Sequence, residues 1–317
     1  MTTIIKLEQI KASLANIDLT NAMQEAFIQY SNGNAIVPPV GELLFDEPKG
    51  DVHIKYGYIK NDDYYVLKIA SGFYQNPQQG IASSQGLMLL FDQKTGVPKA
   101  VLLDQGHLTD IRTAAAGALA AKYFAPKKVT AIGIIGTGIQ ARLQLLHLQR
   151  HTPCKTIWVW GRNAENLAKF VAQLPGEFQV NIASSPRQVA SHANLIVTTT
   201  PSETALLQTD DIQPGTHITA IGADTAHKQE LAAGILKKAA IVVVDSVSQS
   251  RSRGEVFQAV SAGEITLSAV IELGTAIQDP KLQRLNDQQI TLVDLTGVAV
   301  QDMMIAKAVY VNSILNQ

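Results

Sequence analysis

VTAIGIIGTGIQARLQLLHLQR, residues 129–150, is the stretch from which the fold follows. A run of apolar, largely β-branched residues ends in Gly136-Thr137-Gly138-Ile139-Gln140-Ala141, and helical spacing takes over from about Gln140 to Arg150. As a bare string, G-x-G-x-x-A is a weak signal. Between a strand and a helix it reads as a dinucleotide fingerprint: Gly136 permits the tight turn, Gly138 lets the backbone approach a pyrophosphate, and small Ala141 allows the helix to pack closely on the strand. The helix N-terminus then offers free N–H groups to phosphate. A glycine turn without a ligand is the bland alternative.

Outward from this unit the same rhythm continues. TIWVWG (156–161), QVNIAS (179–184), LIVTTT (195–200), HITAIGA (217–223) and IVVVDS (241–246) are short apolar runs separated by helical segments such as NAENLAKFVAQL (163–174). Such alternation predicts a parallel sheet covered on both faces, a doubly wound Rossmann domain over residues 125–300. Upstream, DVHIKYGYI (51–59), YYVLKIASGF (64–73), GLMLLFD (86–92) and PKAVLLD (98–104) are joined by the turn-rich segments KNDD (60–63), YQNPQQG (74–80) and DQKTG (92–96), a pattern of antiparallel pairing. An α+β domain is therefore expected over residues 1–124, rejoined by a C-terminal helix at 301–317. The Ala-rich stretch TDIRTAAAGALAAKYFA (109–125) has the propensity to bridge the two as a helix.

Composition narrows the partners. Of 317 residues, 46% are hydrophobic and 17% charged, which excludes a disordered chain, and 26 Lys+Arg against 27 Asp+Glu give a net charge of −1. There is no general attraction for nucleic acid or an anionic membrane. The start MTTIIKLEQIKASL lacks the pattern of a signal peptide, and no apolar run approaches the roughly 20 residues that span a bilayer. The single Cys154, read as a bystander after Pro153, excludes an intrachain disulfide and a Cys-rich metal site; a cytoplasmic location is expected. The seven His show no ligand spacing, so no metal is expected.

The end of the second Rossmann strand selects the dinucleotide. NAD enzymes place a carboxylate there for the ribose 2′-OH, whereas this chain reads Trp160-Gly161-Arg162-Asn163. With no carboxylate to repel a 2′-phosphate and an Arg to pair with it, NADPH is the expected cofactor and NADH the alternative. Arg162 merely solvating a surface turn is the competing reading. Thr198, at the end of LIVTTT, is placed with the cofactor-binding group.

Three further residues stand out by their surroundings. Lys68 lies in the apolar strand VLKIA, where a buried cation needs an anion, although a Lys at a strand edge with its head in water fits the pattern equally. Arg112 sits in a small, apolar helix start and suits bidentate carboxylate binding or a structural salt bridge. Asp224 follows HITAIGA at the carboxyl edge of the sheet, where open α/β folds bind ligands and where helix caps are also common.

The motifs KIASGF (68–73), LTDIRTAAAGALAAKYFAP (108–126), GIIGTGIQA (133–141), IGADTAHKQEL (221–231) and DLTGVAVQD (294–302), in this order along nearly the whole chain, resemble the ornithine cyclodeaminase/mu-crystallin family. The resemblance implies a homodimer whose N-terminal domain makes the dimer contact and, with the Rossmann domain, encloses a cleft for substrate and nicotinamide. It implies that Lys68 binds substrate, that Arg112 contacts the substrate carboxylate and the cofactor, and that Asp224 is catalytic. Dinucleotide contacts are implied at Ser83, Thr137, Gly138, Ile139, Gln140, Arg162, Lys228 and Thr296, and substrate contacts at Thr225 and Gly297.

Departures from the family pattern choose among its activities. His53 stands where cyclodeaminases carry a catalytic glutamate, and is placed with Lys68 and Asp224 as a catalytic candidate, although an isolated His is often just packed or solvated. The family's Pro-x-Arg segment is represented by Val37-Pro38-Pro39-Val40-Gly41, and Lys55 is expected to replace the missing charge toward substrate. HIKYG and KIASGFYQNP are similar to the branch that reduces Δ1-pyrroline-2-carboxylate. The expected activity is thus NADPH-dependent reduction of a cyclic imino acid. Ornithine cyclodeaminase, then alanine dehydrogenase or a non-catalytic NADPH-dependent ligand-binding protein, are the alternatives.

Overall fold

The computed structural model describes residues 2–73 and 75–315. Tyr74, in the expected turn segment YQNPQQG, and residues 316 and 317, at the end of the expected C-terminal helix, lie outside the described residues. The chain divides into two compact units, 1–112 with 298–317, and 113–297.

In the first unit, β1 (Thr3–Lys6), α1 (Leu7–Leu14) and α2 (Leu19–Ser31) precede β2 (Ala35–Ile36), β3 (Gly41–Phe45), β4 (Gly50–Ile59), β5 (Tyr64–Phe73), β6 (Ser84–Asp92) and β7 (Pro98–Leu103). The sheet order is β1-β7-β6-β5-β4-β2, with β3 also paired to β4; β1 runs parallel to β7 and every other pairing is antiparallel. The four strands read from sequence form the meander β4 to β7, while β1, β2 and β3 carry too few residues of clear pattern to be recognised alone. The turn between β6 and β7 is built by Asp92, whose Oδ1 accepts from the backbone of Lys94 and Thr95 and from the Thr95 hydroxyl. Ile10, Met23, Phe27, Met88, Leu90 and Leu102 are fully buried in this unit.

Helix α3 (His107–Phe124) follows, and the division between units falls within it at Arg112; the expected boundary at 124/125 stands at its C-terminal end. The last helix, α10 (Ala299–Leu315), packs against α1, α2, β4 and β5. This contact gives residues 299–303 a buried position beneath the meander.

The second unit is the expected Rossmann fold. Its strands are β8 (Ile132–Ile135), β9 (Thr156–Trp160), β10 (Gln179–Ile182), β11 (Leu195–Thr198), β12 (His217–Ala220), β13 (Ile241–Val244), β14 (Ile271–Glu272) and β15 (Thr291–Asp294). All are parallel, in the order β10-β9-β8-β11-β12-β15-β13-β14. Helices α4 (Ile139–Leu148), α5 (Ala164–Ala172), α6 (Pro186–His192), α7 (Ala233–Lys238), α8 (Gly254–Ser261) and α9 (Leu273–Gln278) connect them. Every residue of β8, β11, β12, β13 and β15 is buried, which is why β8, β11 and β13 read as near-continuous apolar runs. β14 is too short to announce itself, and β15 shares only Asp294 with the motif DLTGVAVQD. The chain leaves β8 toward β9 and β10, then returns to β11 on the other side, so the strand order reverses between β8 and β11 and opens a crevice there.

Candidate functional site

A cavity of about 300 Å³ lies at that reversal, beyond the carboxyl ends of β8, β9 and β11. The first loop contributes Gly136, Thr137 and Gly138. Gly136 has φ +120°, and a Cβ there would stand 2.4 Å from Thr199 Oγ1, so neither the turn nor the neighbouring loop tolerates a side chain. A Cβ on Gly138 would meet nothing within 4 Å, leaving its backbone open to the cavity. Gly138 is also the N-cap of α4 and supplies no side-chain cap, so the first N–H groups of that helix keep their capacity for an anion.

The second loop contributes Trp160, Gly161, Arg162 and Asn163, with Asn166 from α5. Asn163 caps α5 by accepting from Asn166 N (2.9 Å), which fixes the start of that helix beside Arg162. Thr199, Thr200, Pro201, Ser202 and Leu206 close the wall after β11. The described lining contains no carboxylate and one guanidinium, and its open glycine backbone and uncapped helix start fit a dinucleotide phosphate group.

Thr198, Ala141, Gln140 and Ile139, expected at the cofactor, are not among the residues that line this cavity. Thr198 is fully buried and its hydroxyl donates to Glu230 Oε2 (2.7 Å); the following Thr199 and Thr200 line the cavity instead. Ala141 is buried in the packing of α4, as a small residue must be for close approach to the sheet. Gln140 accepts from Gln144 Nε2 (3.4 Å), and Ile139, the first residue of α4, is half exposed. Among residues 136–141, the lining comes from the three that precede the helix.

In the first unit, a buried charge cluster forms around α10. Lys68 Nζ lies 3.0 Å from the Asp302 carboxylate, and Arg112 Nε donates to Asp302 Oδ1 at 3.0 Å. Arg112 Nη1 donates to Gln301 Oε1 (3.1 Å), and that oxygen also accepts from Val298 N, which locks Gln301 in place. Lys55 is the cross-strand partner of Lys68 and is likewise buried. Three buried cations thus gather near Asp302. Burial lowers the Lys68 ammonium to about 7; Asp302 opposes this, while Arg112 and Lys55 add repulsion. Burial alone would raise the Asp302 carboxyl, but Lys68 and Arg112 outweigh it and hold Asp302 below its ordinary value. A second buried acid, Asp104, uses Oδ2 to accept from Leu108 N at the start of α3, and burial raises its carboxyl. The arrangement can take a ligand carboxylate, because it holds an ammonium and a guanidinium side by side on one counter-ion.

His53 sits two residues before Lys55 on β4, on the same face of the sheet. Its ring lies between Glu42 (3.7 Å from Nδ1) and Asp51 (3.5 Å from Nε2), so two carboxylates attend the position where the family pattern has one. Ser83 is half-buried, and its carbonyl accepts from Phe73 N at the end of β5.

In the second unit, Asp224 lies in the turn after β12, partly exposed, and accepts from Lys228 Nζ at 2.6 Å. Thr225 Oγ1 is 3.4 Å from His227 Nδ1 in the same turn. Thr296 and Gly297 follow β15, and Asp245 accepts from the Thr296 hydroxyl (3.1 Å) and from Gly297 N (2.6 Å).

Several residues that organise these groups were not found by sequence reasoning. Asp302 and Gln301 lay within the motif DLTGVAVQD but carried no pattern of their own. Glu230, Glu255 and Asp294 are fully buried acids near the carboxyl edge of the parallel sheet. Burial raises Glu230 to about 7 and Asp294 to about 8, and raises Glu255 well above its ordinary value. A buried acid is rare enough to mark an organising position, but nothing local in the sequence distinguishes it from a solvated one.

The model of the ornithine cyclodeaminase/mu-crystallin family matches residues 1–316. An uncharacterized cyclodeaminase of Sinorhizobium fredii is 38% identical over 295 residues, covering 92% of this chain and 89% of that protein. Among solved structures, an archaeal alanine dehydrogenase dimer with bound NAD has a TM-score of 0.89 at 35% identity, covering 99% of this chain and 97% of its own. The Δ1-pyrroline-2-carboxylate reductase of Thermococcus litoralis, in complex with NADH and L-proline, has a TM-score of 0.92 at 25% identity, covering 99% and 98%. With its fold, its glycine turn and the match along nearly its whole length in agreement, the chain belongs to the ornithine cyclodeaminase/mu-crystallin family.

Proposed function

We propose that this protein reduces the C=N bond of a cyclic α-imino acid, Δ1-pyrroline-2-carboxylate or its six-membered homologue, to L-proline or L-pipecolate, with NADPH preferred over NADH. The observation that carries the reading is the pair of buried cations, Lys68 and Arg112, held side by side by Asp302, with Lys55 opposite Lys68 on the neighbouring strand. Ammonium and guanidinium donors held together in this way suit a carboxylate. A carboxylate on the imine carbon is such a ligand.

Lys68 and Arg112 bind the substrate carboxylate; Nε and Nη1 of Arg112 are committed to Asp302 and Gln301, which leaves Nη2 for the ligand. Asp302 holds both cations in place, and Lys55 adds charge. Holding the carboxylate fixes the position of the adjacent imine carbon and lowers the entropic part of the barrier. Asp224 stabilises the protonated imine nitrogen or delivers its proton, and Lys228 holds its carboxyl in place through the hydrogen bond to Oδ1. The dinucleotide, when bound, supplies the hydride. Gly136, Thr137, Gly138, Gly161 and Arg162 hold it, and the carboxylate-free lining around Arg162 supports the preference for a 2′-phosphate. His53, flanked by Glu42 and Asp51, assists in proton transfer. A homodimer is part of the reading: the neighbouring alanine dehydrogenase is described as a dimer, and Leu43, Leu44 and Phe45 of β3 are exposed apolar side chains.

A second reading is alanine dehydrogenase, favoured by the 35% identity to the archaeal enzyme. Its imine, formed from pyruvate and ammonia, presents the same carboxylate. The deciding experiment follows nicotinamide absorbance with Δ1-pyrroline-2-carboxylate or Δ1-piperideine-2-carboxylate and NADPH or NADH, with pyruvate plus ammonia, and with ornithine plus NAD+. Turnover of a cyclic imine well above that of pyruvate plus ammonia is expected. Ammonia release from ornithine without net change in dinucleotide would replace the proposal by cyclodeamination.

A further inference from the structure

Glu230 occupies a position that neither the fingerprint turn nor the charge cluster explains. It has no exposed surface, and its carboxylate collects four hydrogen bonds from two different loops. Oε1 accepts from Thr200 N (2.6 Å) and from the Thr200 hydroxyl (2.7 Å). Oε2 accepts from the Thr198 hydroxyl (2.7 Å) and from Gly222 N (2.9 Å). The backbone of the same residue continues the network: its carbonyl accepts from Leu206 N and Leu207 N, and its N–H donates to Glu255 Oε1.

The two loops held in this way are the wall of the cavity after β11, with Thr200 and Leu206 among its lining, and the turn after β12 that leads to Asp224. Close packing makes the tie tight. A Cβ on Gly222 would stand 2.1 Å from Thr200 O and 2.6 Å from Glu230 Cδ, so the two loops touch through bare backbone. Each carboxylate oxygen faces a backbone N–H, from Thr200 on one side and Gly222 on the other, and neither donor can turn away. Glutamine cannot replace this group: in either amide orientation, its NH₂ would face one of those N–H donors.

We infer that Glu230 is a positioning residue for the dinucleotide, acting through Thr200 to hold the 199–206 wall of the cavity in its binding shape and through Gly222 to fix the turn that carries Asp224. The inference rests on the reading of the cavity as the dinucleotide site. It assigns Glu230 no contact with the ligand.

The test compares wild type with Glu230→Gln and with Thr198→Val, which removes a hydroxyl that bonds Glu230 and does not line the cavity. NADH and NADPH affinities are measured by fluorescence titration, together with apo melting temperatures and amide hydrogen exchange. Glu230→Gln is expected to weaken both dinucleotides about tenfold, as a backbone N–H loses its acceptor, and Thr198→Val about threefold, as Glu230 Oε2 loses a donor. Exchange should accelerate in residues 199–206 and 221–224 while the rest of the unit keeps its protection. If Glu230→Gln does not fold, Thr198→Val decides. Wild-type affinity in the folded variants, or exchange accelerated evenly through the whole unit, overturns the inference alone. Absence of dinucleotide binding by wild type overturns the cavity reading and the inference with it.

Discussion

Lys68 and Asp302 form a buried ion pair of 3.0 Å although 234 positions separate them in the chain. The pair ties the meander to the last helix, and Arg112 completes it from the start of α3. One carboxylate therefore orients two cations proposed to bind substrate.

Removing that carboxylate should be costly. In Asp302→Asn, Lys68 and Arg112 would remain buried beside each other without their common counter-charge, a situation that typically costs about 3–5 kcal/mol. Urea unfolding should show a corresponding fall in midpoint with little change in slope. A loss under about 1 kcal/mol would mean that water reaches the two cations.

The lowered Lys68 ammonium has a consequence for ligand binding. Without ligand it titrates at about 7, and a bound carboxylate would raise it. Above pH 7 binding must then take up a proton, so the affinity for L-proline should fall by up to about tenfold per pH unit, while below pH 7 it should be level. Calorimetric titration between pH 6 and 9 reads this slope. An affinity independent of pH would remove Lys68 from contact with the carboxylate.

Arg162 lines the cavity from the second loop, in the stretch where a ribose 2′-phosphate is expected. Arg162→Ala should weaken NADPH by roughly 10- to 100-fold through loss of a charge-assisted pair, and NADH by less than about twofold. Equal losses for the two dinucleotides, measured by fluorescence titration, would withdraw the phosphate assignment.

Asp224 is partly exposed and paired with Lys228, so its replacement should leave the fold intact. Asp224→Asn should lower imine turnover by about 10²- to 10⁴-fold, the range of a lost proton donor, with dinucleotide affinity changed by less than about threefold. Wild-type turnover in this variant would move the proton-transfer role elsewhere.

The Rossmann unit could be read along the chain because its signals are local. A strand buried on both faces must be apolar throughout, and a turn that leaves no room for a side chain, as at Gly136, must be glycine. The meander was legible for the same reason, through alternation and turn residues such as Asp92. Lys68 and Arg112 could be singled out because a cation in an apolar run is a local anomaly. Their shared partner could not, since any of 27 acidic residues satisfies the same charge requirement until the fold brings one of them near. The sequence likewise offered Thr198 to the cofactor, whereas packing turned its hydroxyl onto Glu230 and left the cavity to Thr199 and Thr200. Backbone geometry and burial pattern act between neighbours in the chain and are therefore written there. The pairing of buried polar groups, Lys68 with Asp302 and Thr198 with Glu230, acts across space, and only the assembled fold selects the partner.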